Sequence, residues 1–166
     1  MVDTQALVIR RFITVNERDA AAWLMMSTDP WKTFGRTYEN CLDAVTNPQK
    51  EAYGAFIDGD FLGLLVIDLT GPLKGYIQAV CVKESARGLG VGSRLIKYAE
   101  SRIFSVSPNS FLCYSDFNES VRDVYEHLGY EEVGVLKDYM IPGHDEILMR
   151  KTIGPVMTFQ NREKTS

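Results

Sequence analysis

The segment from Val80 to Phe104, VCVKESARGLGVGSRLIKYAESRIF, constrains the fold more than any other. An apolar run of β character ends in a glycine cluster, and a segment of helical periodicity follows at once. Val91, Leu95, Ala99 and Ile103 fall on one stripe of a helix expected over 90–104. A second β run, SFLCYS at 110–115, comes next. Strand, helix, strand in that order predicts one parallel crossover, because parallel neighbours need a connection of this length.

The rest of the chain reads around that unit. ALVIRRFI (6–13) is an expected first strand, and Asn16 is a candidate N-cap for the helix ERDAAAWLMM, with Asp19 in its first turn. A second helix is expected from about Arg36, where Tyr38, Cys41, Leu42 and Val45 keep helical spacing until Asn47-Pro48. EAYGAFI and FLGLLVIDL flank Asp58-Gly59-Asp60 and predict a hairpin, and GYIQAVCV (75–82) supplies the next strand after the Gly71-Pro72 turn. A short helix at 118–128, N-capped by Asn118, should present Val121, Val124, Tyr125 and Leu128 and stop before Gly129. Two strands, about 130–139 and 145–153, are expected on either side of a PGHD turn. The predicted class is therefore α/β in the α+β sense: a mixed, largely antiparallel sheet with one central parallel crossover and helices on both faces. One domain is expected over 1–153, with a polar tail at 154–166.

Several function classes drop out. A net charge of −4 over 166 residues offers no basic excess to neutralise a nucleic-acid backbone. Three widely spaced cysteines and two histidines suggest neither a disulfide framework nor a metal site. FLGLLVI at 61–67 is far too short to span a bilayer, and the N-terminal MVDTQALVIRRF lacks a secretory pattern, so no membrane partner and a cytoplasmic location are expected.

The glycine cluster carries the chemistry. In Arg87-Gly88-Leu89-Gly90-Val91-Gly92 the missing side chains let a ligand approach the backbone, and unpaired amides at a helix start converge on one point. The helix dipole favours an anion there, and Arg87 can add a charge-assisted contact. No Lys follows the glycines, as a nucleotide-hydrolysing P-loop requires, and Ser93 stands where a dinucleotide fingerprint needs its third glycine. A turn that binds nothing is the bland alternative, and the neighbouring β run, amphipathic helix and arginine weigh against it.

The pattern V-x-x-x-x-R-G-x-G-x-G beginning at Val82 resembles the acyl-CoA pyrophosphate loop of the GNAT superfamily of N-acetyltransferases. Asn118 through Tyr130, NESVRDVYEHLGY, is similar to that family's N-x-x-A-x-x-x-Y-x-x-x-G-[FY]. The resemblance implies acetyl-CoA as acyl donor, a primary amine of a small molecule or peptide as acceptor, and direct attack in a ternary complex without a metal. It further implies that the backbone of Val80, Cys81 and Val82 pairs with the pantetheine arm. The loop from Arg87 through Gly88, Leu89, Gly90, Val91, Gly92 and Ser93 would hold the pyrophosphate, Asn118 would touch the cofactor, and Tyr125 would be the general acid. Family members that acetylate the N-terminal alanine of a ribosomal protein carry a glutamate at the position of Cys113, so that base is absent. Glu39, Asp116 and Tyr139 are candidates for it, and Trp31 is a better acceptor-site candidate than Trp23. Homodimers are common in the family. A non-catalytic CoA-binding sensor or interaction module is the alternative reading.

Overall fold

Strands whose residues alternate between two apolar layers must be buried on both faces, and the central strands here are of that kind. In the computed structural model, which describes residues 6–165, Leu64 and Val66 enter one core while Leu65 and Ile67 enter the other. The strands are β1 (Val8–Arg11), β2 (Lys50–Ile57), β3 (Asp60–Asp68), β4 (Tyr76–Val82), β5 (Asn109–Ser115), β6 (Glu131–Ile141) and β7 (His144–Thr152). They form one sheet in the order β1-β2-β3-β4-β5-β7-β6, antiparallel throughout except for β4 beside β5. The mixed sheet and its central crossover are those expected from the sequence.

Helices α1 (Val15–Met26) and α2 (Tyr38–Thr46) cover one face, packing Ala21, Ala22, Met25, Cys41 and Val45 against Phe56, Leu64, Val66, Ala79 and Cys81. Helix α3 (Val91–Ile103) covers the other, with its stripe of Val91, Leu95, Ala99 and Ile103 fully enclosed. The Tyr38 hydroxyl donates to Asp19 at 2.5 Å and ties α1 to α2.

Two capping expectations are corrected. The N-cap of α1 is Thr14, not Asn16: its hydroxyl accepts from Glu17 N–H at 3.1 Å and Glu17 returns a bond to the Thr14 amide. A Thr-x-x-Glu box satisfies two orphan amides where a lone Asn satisfies one. Asn118 is not an N-cap either. It sits at φ −125°, ψ 41° inside a 3-10 stretch, Asp116–Val121, that precedes a single short turn of helix, α4 (Arg122–His127). Gly129 does close α4 in the left-handed conformation, at φ +92°. The segment after β7 touches the body of the protein, where Arg162 N–H donates to Ser105 O at 3.1 Å.

Candidate active site

Strands β4 and β5 begin as neighbours and then part. Their register contains one pair, Tyr76 with Phe111, supported by Phe111 N–H donating to Gly75 O at 2.9 Å. Beyond it the β5 side of β4 has no strand partner, so a wedge opens in the middle of the sheet. Lys83 N–H donates to Leu62 O on β3 at 2.8 Å. Backbone groups alternate sides along a strand, so Val82 and Val80 turn theirs into the wedge while Cys81 turns its own toward β3. The Cys81 side chain is buried against α1 and α2.

A bulge sets this phase. Ile67 pairs with Ile77 and Val66 with Ala79, leaving Gln78 as the extra residue of β4. Before the bulge Ile77 packs toward α3; after it Ala79 and Cys81 pack toward α1 and α2. Gly63, opposite Val82, permits the close approach of β3, since a Cβ there would lie 2.6 Å from Cys81 O.

Below the wedge lies a cleft of about 430 Å³. Its glycine wall contains Arg87, Gly88, Gly90, Val91, Gly92 and Ser93, and Val80, Val82, Val124 and Tyr125 also line it. Gly88 and Gly90 adopt φ of +75° and +79°, which an L side chain resists, and a Cβ at either would enter open space. Gly90 caps α3 without a side-chain bond, and the first turn closes only at Arg94 N–H to Gly90 O, 3.1 Å. The amides of Val91, Gly92 and Ser93 have no protein acceptor among the described residues and face the cleft as an anion cradle. Arg87 Nε donates to Val82 O at 3.2 Å, which holds the guanidinium beside the cradle. Leu89 packs partly against the core and does not line the cleft. Val124, expected on an apolar helix face, is 44% exposed because that face borders the cleft.

On the α1/α2 side a second cavity, about 300 Å³, opens into the same wedge. Val80, Val121 and Tyr125 line both spaces. Trp31 and Phe34, from the loop between α1 and α2, meet Tyr76, Cys113, Tyr139 and Glu146 in this cavity. Asn118 lines it too, and not the glycine cleft. Trp23 is 51% exposed and packs on Tyr38 at 5.0 Å, away from the site. Of the candidate bases, Tyr139 reaches the cavity, whereas Glu39 does not, and Asp116 is engaged with His144 Nδ1 and the Asp145 amide, both at 2.9 Å.

Tyr125 projects from α4 between Tyr114 and Tyr130, with ring centroids 6.3 and 6.4 Å away. Its hydroxyl makes no hydrogen bond among the described residues, and burial pushes its pKa up to about 12. Burial likewise pushes the Cys81 thiol up to about 11 and raises Cys113. Sequence reasoning passed over Glu146, which the β5–β7 register sets opposite Ser115. The Ser115 hydroxyl donates to it, and burial raises its pKa above the usual carboxylate range. Its only sequence signal was an acidic residue directly before a short apolar run, EILM. No cluster of three or more metal-ligating side chains exists among the described residues, and none of their helices is long and apolar enough to cross a membrane.

The glycine-cradled cleft and the second cavity are joined through the parted sheet. The chain belongs to the acetyltransferase (GNAT) family, whose model matches residues 17–130. It is 28% identical over 156 residues to an uncharacterised N-acetyltransferase of Methanocaldococcus jannaschii, covering 87% of this chain and 91% of that one. An aminoglycoside 6'-acetyltransferase type Ii has the same fold, with a TM-score of 0.72 at 26% identity over 89% of this chain and 98% of its own. An aminoglycoside 6'-N-acetyltransferase solved with coenzyme A also superposes at 0.72, with 21% identity over 89% of this chain and 98% of its own, a likeness of fold.

Proposed function

We propose that this protein transfers an acetyl group from acetyl-CoA to a primary amine by direct attack in a ternary complex. The observation that carries the reading is the junction at Tyr125. The glycine cleft and the second cavity meet there, so a donor and an acceptor held in the two spaces would face each other across one phenol.

In this reading the amides of Val91, Gly92 and Ser93, with Arg87, bind the pyrophosphate of CoA. The free backbone groups of Val80 pair with the pantetheine arm, and the N–H of Val82, whose carbonyl is held by Arg87, donates to the thioester oxygen as charge builds on it. Such a preorganised donor contributes about 3–4 kcal/mol to a barrier. As the C–N bond forms and the C–S bond breaks, Tyr125 gives its proton to the departing sulfur. With its pKa raised by burial the phenol stays protonated at neutral pH, so its proton is in place as charge builds on the sulfur. Neither nearby thiol is suited to an acetyl-enzyme, since the reactive species is the thiolate and burial keeps Cys81 and Cys113 protonated.

The acceptor space mixes Trp31, Phe34, Tyr76 and Tyr139 with Asp29, Arg36 and Glu146, and suits a cationic amine carried on a partly apolar body. The test is release of free CoA from acetyl-CoA over a panel of polyamines, amino acids, aminoglycosides and peptide N-termini. Turnover of one class with sequential kinetics supports the proposal. Acetyl-CoA binding with no turnover on any amine would favour a sensor, and ping-pong kinetics would remove direct attack.

A further inference from the structure

The geometry points to Glu146 as the group that takes the proton from the incoming amine, an inference that rests on the transfer reaction proposed above. The glutamate is 6% exposed, yet it lines the acceptor cavity together with Tyr125. Its one hydrogen bond comes from Ser115, and no lysine or arginine pairs with it among the described residues. A buried carboxylate without a cation is costly unless a ligand or a proton completes it. A protonated amine entering the cavity would supply both.

The surroundings suit the role. Cys113 and Ser115 face Glu146 from β5, Tyr76 from β4, Asp116 from the turn after β5, and Tyr139 from the end of β6. Leu136 is its partner on β6. Asp29 and Arg36 line the same cavity from the α1–α2 loop. On β7 itself, His144 is held by Asp116, and Asp145 is held by Lys137 at 2.5 Å. Burial and the neighbouring Asp116 charge raise the Glu146 pKa, which makes the carboxylate a better base, while the Ser115 bond opposes them.

The protons balance. An ammonium loses two protons on becoming an amide. One passes to Glu146 and then to solvent, and the other replaces the proton that Tyr125 gives to the CoA thiolate.

The test is the pH profile of kcat/KM, from pH 5.5 to 10, with an amine that the wild type accepts. Glu146→Gln keeps the shape and the acceptor for Ser115. It should lower activity by about 100-fold at pH 7. The deficit should shrink toward pH 10, where a growing share of the amine is already deprotonated, and acetyl-CoA affinity should be unchanged. Ser115→Ala should move the acidic limb to higher pH, because it removes the bond that favours the carboxylate. Glu146→Gln within threefold of wild type at pH 7, an equal loss at every pH, or an unmoved limb in Ser115→Ala would each overturn the role. Loss of activity in Tyr125→Phe alone would leave the transfer standing and remove Glu146 only. A wild type that binds acetyl-CoA and turns over no amine would overturn both.

Discussion

Replacing Tyr125 by Phe separates catalysis from folding unusually well, because the hydroxyl has no partner to lose among the described residues. Deleting a hydroxyl that donates an internal hydrogen bond usually costs about 1 kcal/mol. Here that loss is absent, and the ring contacts with Tyr114 and Tyr130 persist. The melting temperature at pH 7 should therefore be unchanged or slightly higher. With the proposed proton donor removed, kcat should fall about 100-fold or more while the Kd for acetyl-CoA stays within a factor of two.

The raised pKa gives a second, independent signature. The unfolded phenol ionises near 10 and the folded one near 12. The folded state thus holds the proton that the unfolded state sheds, and stability falls as pH rises from 10 toward 12. At pH 11 that difference amounts to about 1.4 kcal/mol for this residue. Tyr125→Phe should lose less stability than wild type between pH 8 and 11 by about that amount, measured by urea unfolding at each pH. Other buried tyrosines contribute equally to both proteins and cancel. Near-wild-type kcat, or parallel alkaline stability curves, would refute the reasoning.

Three further outcomes follow from other parts of the molecule. Gly90→Ala places a Cβ at φ +79° and into the mouth of the cradle. It should cost about 1–2 kcal/mol in unfolding free energy and weaken acetyl-CoA at least tenfold by calorimetry, and an unchanged Kd would argue against the cradle. Glu17 is held down to a pKa of about 2, first by the Arg10 guanidinium and then by the Ile13 and Thr14 amides, so its contribution is present above the unfolded pKa and lost as pH falls toward 2. Glu17→Gln should destabilise by about 1–2 kcal/mol at pH 6 and match wild type near pH 2 in denaturant titrations. Lys151→Met leaves the buried Glu100 without its partner, now 2.9 Å away, and should cost about 3 kcal/mol, most of it recovered by adding Glu100→Gln.

What the sequence discloses tracks how local the cause is. The α3 stripe and the positive-φ glycines act within a few residues, and both were legible. The α1 cap was legible in principle: Thr14 and Glu17 stand three apart, and the box outcompetes Asn16 for the same helix start. Asn118 misled because a cap-type residue at the head of an apolar helix looks the same whether it caps the turn or, as here, sits at a kink. Val124 misled for a related reason, since an apolar face can be turned toward a ligand cleft as readily as toward a core. The bulge at Gln78 left no mark in the composition of β4, because a register shift belongs to the pair of strands and not to either one.

The acceptor side was illegible for a topological reason. Cys113 was the position to inspect for a base, and it holds a thiol that burial keeps protonated. The carboxylate that enters the same cavity comes from β7, which lies beside β5 only because β6 is displaced to the edge of the sheet. No spacing rule along the chain anticipates that exchange. It also separates the two groups proposed to handle protons by layer. Tyr125 belongs to α4, whose ring packs with the α3-side core, whereas Glu146 opens on the α1/α2 side. In an unbroken sheet the two would be screened from each other by β4 and β5. They line one cavity because the pairing of those strands stops after Tyr76 and Phe111. In the proposed reaction the parting of the strands would do more than admit a pantetheine arm: it would let Glu146 reach the amine and Tyr125 the departing sulfur from opposite faces of the sheet.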